Sequence, residues 1–594
     1  MFYSELQNGQ AVKTSVENVV FDHECDVLVA GLGTAGALAA VSAAEAGASV
    51  IGVERLKICG GTATGGGVYG YYYGLPGGRF EEIDKISVEL SNKNFVARSY
   101  DRHPFAKSFA IEQAMTAAGA EIIYEAAVVG VYLNGNTVCG VKIITESGPE
   151  NIGCKALVDG SGDGEVSAAA GADYEVGREI DGQPQPFSSI RVFANENGTL
   201  GLANFDAGYV LPDNAADLTR GLLKANALHR GGIEKFGDRL LWITLPPGPR
   251  EGRLIKCDYT SRFLDFIKGE RCQDPIIYAH TNFDSHTQDW AFESNIIKDW
   301  MVGASLWGYV FNIPLPAEVM FASGLTNLLC PGRNLSVDHD MACAIRMQRC
   351  LQKLGEAAGI IAAEAALQAK DIREFDRAAL TAALKKSGAL NSPDELPDDA
   401  MATDPEVLNE MLKTEAPGVA IWVTSQNLPE YRNMLLDGLQ SDDVHYSRNC
   451  AMALGLGGDD AAISKLTEIV EARDPFEPKS SRSHNQRRLL GALHLLGQTG
   501  KPEVIDTLVD FLEKPDLDMQ EFSHTMMALL NLGDGCLNLQ TRISDVLTSA
   551  LGDDCKEYKL LLKNSSSTGY RAFVDMTEFM RKVLKDHLKQ WSDL

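Results

Sequence analysis

The chain has 594 residues, too many for one hydrophobic core at about 100–200 residues per domain, which predicts several domains. Hydrophobic residues make up 45% and charged residues 23%, a composition that excludes bulk disorder. A formal charge of −27 repels phosphate backbones and anionic membranes and excludes nucleic acid as a partner, and no apolar run approaches the ~20 residues of a membrane span.

The opening Met1-Phe2-Tyr3-Ser4-Glu5 lacks the basic and apolar regions of a secretory signal, and the 12 cysteines are scattered without a CxxC pair. Both features predict a cytoplasmic chain and exclude a disulfide scaffold or zinc ribbon. Cys25–Ala30 is a short β-branched run and reads as a strand. Gly31-Leu32-Gly33-Thr34-Ala35-Gly36 breaks it, Ala37–Gly47 reads as a packed helix, and Ala48–Val53 is the returning strand. A helix over about Phe105–Ala118 leads into Glu121–Tyr124. Then comes a meander, Ala127–Leu133 and Thr137–Thr145, around an Asn134-Gly135 turn. Lys155–Asp159 is a further strand. Residues 175–320 mix aromatic, polar and Gly/Pro-rich pieces, the pattern of a cap inserted over a cofactor. Leu328–Arg333 reads as a buried strand, followed by one long Ala-rich helix over about 344–369. An acidic, Pro-containing linker spans 390–405. Beyond it only helices are expected. Arg448–Gly457, Arg488–Gly497 and Ala528–Gly533 form a weak repeat at a spacing near that of helix-pair solenoids.

The first site is Gly31-x-Gly33-x-x-Gly36 between strand and helix, with Glu54 ending the second strand. Gly31 permits the tight turn, Gly33 lets backbone approach a pyrophosphate, and Gly36 lets the helix pack on the strand. The helix start offers unpaired N–H groups to phosphates. Glu54 suits a ribose hydroxyl and would repel a 2′-phosphate. A second glycine-dense segment, Gly60-Gly61-Thr62-Ala63-Thr64-Gly65-Gly66-Gly67, favours FAD over NAD, because a flavoprotein wraps such a loop around pyrophosphate and isoalloxazine.

These segments, with Val158–Glu165, Ala170-Gly171-Ala172, Cys330–His339, Ile345-Arg346 and Gly355–Gly359, resemble the FAD-dependent oxidoreductase family with its glutathione-reductase-like FAD fold. The resemblance covers about residues 20–370 and departs from the family's usual Ala-Thr-Gly at Gly160-Ser161-Gly162. The implied architecture is α/β: a Rossmann-type FAD-binding domain with an inserted α+β substrate cap, then an all-α HEAT-like extension. The expected boundaries are 20–175 for the first FAD-binding part, 176–322 for the cap and 323–372 for the closing FAD-binding part. A linker at 373–405 and a helical domain at 406–594 follow. Carried over by position, the resemblance puts Gly31, Gly33, Thr34, Ala35, Gly36, Gly60, Gly61, Thr62 and Thr64 around the dinucleotide. It puts Glu54 on the adenosine ribose, Arg55 and Val128 at the adenine, and Gly162 and Asp163 where the site closes. Gly332 and Arg333 fall by the ribityl–pyrophosphate, and the helix after Met341 aims its N-terminus at the flavin pyrimidine ring.

His339, just before that helix, is the expected catalytic base, with a bare hydrogen-bonding role as the alternative. Arg346 either binds substrate or holds a buried carboxylate. Tyr71, with its neighbours Tyr69, Tyr72 and Tyr73, Arg250 of the Arg250–Arg253 cluster, and His286 beside Asp284 are the further substrate-site candidates. Each of them could instead be a packing or salt-bridge residue. Cys59 reads as a small buried residue, and no metal is expected. The expected activity is hydride transfer between flavin N5 and a small organic substrate, oxidising a hydroxyl of a sugar, glycoside or polyol as a dehydrogenase. The alternatives are a fumarate-reductase-type ene-reductase with an Arg proton donor, and a flavoprotein serving a protein electron-transfer partner. The helical tail is expected to offer a face to such a partner or to a second copy.

Overall fold

The apolar run at 25–30 lies inside a nine-stranded sheet in the computed structural model, which describes all residues except 69, 95–102, 195–199, 207, 213, 224–238, 245–246, 480–484, 564–570 and 594. A hairpin absent from the sequence reading, β1 (Phe2–Gln7) and β2 (Gln10–Ser15), precedes β3 (His23–Ala30). Helix α1 (Gly36–Glu45) crosses to β4 (Val50–Glu54). Next come α2 (Phe80–Asn94), α3 (Pro104–Ala118) and β5 (Glu121–Tyr124), then the meander β6 (Ala127–Asn134), β7 (Thr137–Thr145) and β8 (Gly148–Asp159). The strand order is β2-β1-β6-β7-β8-β3-β4-β5, and β9 (Leu328–Leu329) adds parallel to β8. β3, β4 and β5 are parallel, whereas β8 runs parallel to β3 and antiparallel to β7, joining Rossmann core to meander. Val27–Ala30 is buried throughout, as a parallel strand covered on both faces must be.

After α4 (Glu165–Ala170) the cap begins. It holds a three-stranded antiparallel sheet, Leu200–Asp206, Ser188–Ala194 and Arg239–Ile243, and a strand pair, Ile277–Thr281 with Phe311–Leu315. The single helix expected over 344–369 is two, α5 (His339–Ile345) and α6 (Gln348–Gln368). Met347 between them is extended (ψ 139°), and Arg346 leaves the helix to bond Gln185 and Asp284. α6 lies on α1 at backbone distance: a Cβ on Gly355 or Gly359 would collide with the carbonyl oxygen of Ala35 or Ala39.

Part of the segment read as linker is helical, Arg377–Ser387, because Asp376 caps it and Leu380 and Leu384 enter the core. The helical domain contains the successive pairs α7 (Val444–Leu456) with α8 (Ile463–Glu471), α9 (Arg488–Gln498) with α10 (Ile505–Leu512), and α11 (Met519–Gly535) with α12 (Gln540–Ala550). It is not purely helical: a hairpin, β10 (Lys559–Lys563) and β11 (Arg571–Asp575), precedes the last helix, α13 (Thr577–Asp593). One apolar cluster runs from Val27 and α1 through Trp300 and Trp307 into Leu490, Met526 and Met580. Among the described residues, no helix is long and apolar enough to cross a membrane.

Gly359→Val is expected to lower stability by about 1–3 kcal/mol through overpacking between α1 and α6, read as a lower melting temperature by circular dichroism.

Candidate cofactor and substrate site

A cavity of about 790 Å³ opens where β3, β4 and β8 end, within the ~300–1,000 Å³ range of small-molecule sites and at the carboxyl edge expected of a parallel sheet. One end is made chiefly of backbone. Gly31, Gly33, Thr34 and Ala35 line it. Gly31 has φ +91°, and a Cβ there would lie 2.7 Å from the Gly160 carbonyl oxygen. Gly36 sits behind the lining, where a Cβ would strike the Gly31 carbonyl. No side chain caps the start of α1; the Ala37 N–H donates to the Gly33 carbonyl (3.1 Å), and the dipole of the helix start still favours an anion in the cavity.

Glu54 is buried on the cavity wall, its Oε2 and Oε1 each accepting a backbone N–H at 3.0 Å, from Leu32 and Leu56. Burial raises its pKa, and these N–H groups and Arg55 oppose the rise. Arg55 and Val128 line the same end, as do Gly61, Thr62, Gly162, Asp163, Gly332 and Arg333. Gly60 and Thr64 do not reach the cavity. The Thr64 hydroxyl donates to the Cys59 carbonyl (2.6 Å) and the Gly60 N–H to the Leu32 carbonyl (2.7 Å), so both shape the loop from behind. Cys59 is buried and donates to the Ser108 carbonyl (3.2 Å). Arg333 pairs with Asp163 (3.0 Å), and its Nη1 is buried with no hydrogen-bond partner among the described residues. The same holds for Gln348 Oε1 on the cavity wall. An uncapped helix start, a buried carboxylate and an orphaned guanidinium N–H fit a dinucleotide's phosphates and ribose.

Side chains make the other end: Tyr72, Arg250, Asp284, His286, Trp290, Trp307 and Arg346. Asp284 accepts from His286 Nε2 (3.1 Å) and Arg346 Nη2 (3.2 Å). Burial would raise the Asp284 pKa, but His286, Arg346 and Arg250 together hold it well below the usual carboxylate range. His286 adopts φ +59°, a conformation that side chains rarely take and that clusters at functional sites. Arg346 also donates from Nε to Gln185 (3.0 Å), and burial lowers its pKa. Met347 and Gln348 at the start of α6 line the cavity, and no side chain caps that start.

Several expectations change here. The helix end facing the cavity is that of α6, because Asp338 caps α5 by accepting the Met341 N–H at 2.7 Å. His339, the expected base, does not line the cavity. It is partly buried, with Nδ1 2.8 Å from Glu251 and Nε2 3.2 Å from Glu293. Burial alone would lower its pKa, yet Glu251 and Glu293 raise it well above the ordinary value. Glu293, His339 and Asp340 lie close enough to share a cation, but these hydrogen bonds already occupy both imidazole nitrogens. Tyr71 does not line the cavity: its hydroxyl donates to Asp84 and accepts from buried Lys107 Nζ (2.6 Å), and Tyr72 takes the wall position. Tyr69 lies outside the described residues. Sequence reasoning missed Glu251 and Glu293 as partners of His339, which stand 88 and 46 residues away with no shared motif.

The family model for FAD dependent oxidoreductases matches residues 26–208 and 207–384. No curated protein matches the chain. Among solved structures, THI4 of Thermovibrio ammonificans is 25% identical over 26% of this chain and 67% of its own, with a TM-score of 0.21. A geranylgeranyl bacteriochlorophyll reductase-like protein of Thermoplasma acidophilum is 13% identical over 82% and 99%, with a TM-score of 0.32. L-proline dehydrogenase of P. horikoshii is 11% identical over 62% and 100%, with a TM-score of 0.28.

Glu54→Ala is expected to weaken FAD binding roughly 10–100-fold, the value of one hydrogen bond to a charged group at about 1.5–3 kcal/mol, in fluorescence titration of the apoprotein. His339→Gln leaves Glu251 unpaired and is expected to cost roughly 3–5 kcal/mol. Because the folded His339 pKa is raised, its contribution is complete below about pH 6.5 and is lost as pH climbs through the raised value. The stability gap between wild type and His339→Gln in urea should therefore be larger at about pH 6 than at about pH 10.

Proposed function

The chain belongs to the FAD-dependent oxidoreductase family, and from that premise we propose that it is a dehydrogenase oxidising a hydroxyl group of a small organic substrate, a sugar, glycoside or polyol, with His286 as the base. Bound FAD would supply the two-electron acceptor for the carbon-bound hydride. Glu54, the uncapped start of α1, Arg333 and the 60–67 loop would hold it, leaving the substrate to the Arg346 end.

The observation that carries this reading is the Asp284–His286 dyad on the cavity wall, at the end where α6 begins. Asp284 holds the imidazole by its hydrogen bond to Nε2 (3.1 Å), orienting the ring that takes the hydroxyl proton. The ionised Asp284 then stabilises the imidazolium, the orienting role of the acid in an Asp–His pair. His286, Arg346 and Arg250 together favour the ionised Asp284. Trp290, Trp307 and Tyr72 offer aromatic faces to a ring and exclude water. The acidic surface and twelve unpaired cysteines support a small-molecule enzyme of a reducing cytoplasm.

A second reading draws on Arg346, whose pKa burial lowers, beside Arg250. That pair suits an ene-reductase in which Arg346 gives a proton to an unsaturated carboxylate.

Anaerobic mixing separates the two readings. Alcohols should bleach the flavin of the yellow holoprotein under the first, whereas under the second only saturated or unsaturated carboxylates change its redox state. His286→Asn is expected to keep FAD and slow bleaching by an alcohol about 10²–10⁴-fold. An unchanged rate would remove His286 as the base.

A further inference from the structure

The wall that carries the Asp284–His286 dyad has a second side. Its strip from Asp284 to Trp290 faces the cavity with Asp284, His286, Thr287, Gln288 and Trp290, while the helical domain lies against the outside. Gln520 on α11 donates from Nε2 to the carbonyl of Gln288, two residues beyond His286. Phe579 on α13 packs edge-on against Phe292 at 4.8 Å between centroids. The Arg178 guanidinium lies against both rings while pairing with Asp289 (2.7 Å) and Glu293 (3.1 Å). Further along, His494 and Gln498 of α9 both bond Asp299, at 2.7 and 3.2 Å.

On the cavity side the strip is tied at Asp284 by Arg346 and at Thr287 by Glu293 (3.0 Å). Between those ties stands His286 at φ +59°. A side chain keeps that backbone only where the surroundings over-determine it, and the Gln288 carbonyl two residues on is held by the helical domain.

We infer that the helical domain is the outer half of the substrate-side wall, and that Gln520 is a positioning residue that holds the Gln288 carbonyl and through it the His286 imidazole. The inference rests on the reading of His286 as a site residue. It requires the domain to be part of the enzyme's working machinery and not an arm for a partner.

Gln520→Glu keeps the side chain's size and removes its N–H donor. Phe579→Leu releases the aromatic contact, and Arg542→Ala, which loses an exposed pair with Asp506 on the same domain, is the control. In the full-length holoprotein, Gln520→Glu should raise amide hydrogen exchange in peptides spanning 284–292 about tenfold, with exchange in 26–45 and FAD content unchanged. The pH profile of His286 modification by diethyl pyrocarbonate, read by peptide mass spectrometry, should shift with it. If Gln520→Glu does not fold, Phe579→Leu gives the same two readings. The inference is overturned if the strip's exchange and the His286 profile stay at wild-type values, or if Arg542→Ala moves them equally. Both readings are independent of substrate. If no alcohol bleaches the flavin but the strip loosens as expected, the hydroxyl-oxidation reading falls and the positioning role stands.

Discussion

A chain of buried charges holds this molecule's site together. It runs from Arg346 at the cavity, across the neutral Gln185, to Glu251, His339, Glu293 and Arg178, with Asp289 and Asp181 at the far end. Each member is costly to bury, and the cost of a carboxylate out of water is offset only when a cation and hydrogen bonds meet it in good geometry. Glu293 has both His339 and Arg178, and burial's upward push on its pKa is outweighed, leaving it at about 2. The chain crosses from α5 and α6 into the cap and on to the face of the helical domain. Its members therefore fix the relative placement of all three, which apolar packing, being non-directional, does not.

The two ends of the cavity follow different physical logics. At the nucleotide end the partners are backbone N–H groups, glycines without Cβ atoms and one carboxylate clamped by two amides. Such a surface recognises phosphate and ribose, which are alike in every dinucleotide of this kind. At the other end a carboxylate, an imidazole and two guanidiniums stand among aromatic rings, and none of them is placed by a local turn motif. Their protonation states depend on one another: His286, Arg346 and Arg250 together favour the ionised Asp284, and Asp284 orients His286.

The helical domain shares an apolar cluster with the Rossmann core, from Val27 to Met580. Trp422 packs against Trp300 at 4.9 Å, and a Cβ on Gly418 would collide with the Ala304 carbonyl, so domain and cap meet at the closeness of a protein interior. The same domain touches the strip carrying the dyad, through Gln520 on the Gln288 carbonyl and Phe579 on Phe292.

How much of this was legible in the residues varies with distance along the chain. The Gly31–Gly36 turn, the strands on either side, Glu54 and the Asn134-Gly135 hairpin could be read directly, because turn geometry and strand burial are set by neighbours a few positions apart. The FAD family and its sheet followed from those segments. The roles of the two histidines could not be read. His339 has flanking aspartates and a helix behind it, the local signature of a base. Yet Glu251 and Glu293, brought from 88 and 46 residues away, engage both of its ring nitrogens. His286 looks like one polar residue in an aromatic stretch until Arg346, 62 residues from Asp284, arrives to bond the acid beside it. Sequence by itself determined the half of the site made from backbone conformation; which side chains are charged, and which can move a proton, was decided only in three dimensions, since a pKa is set by whatever charges folding brings within a few ångströms.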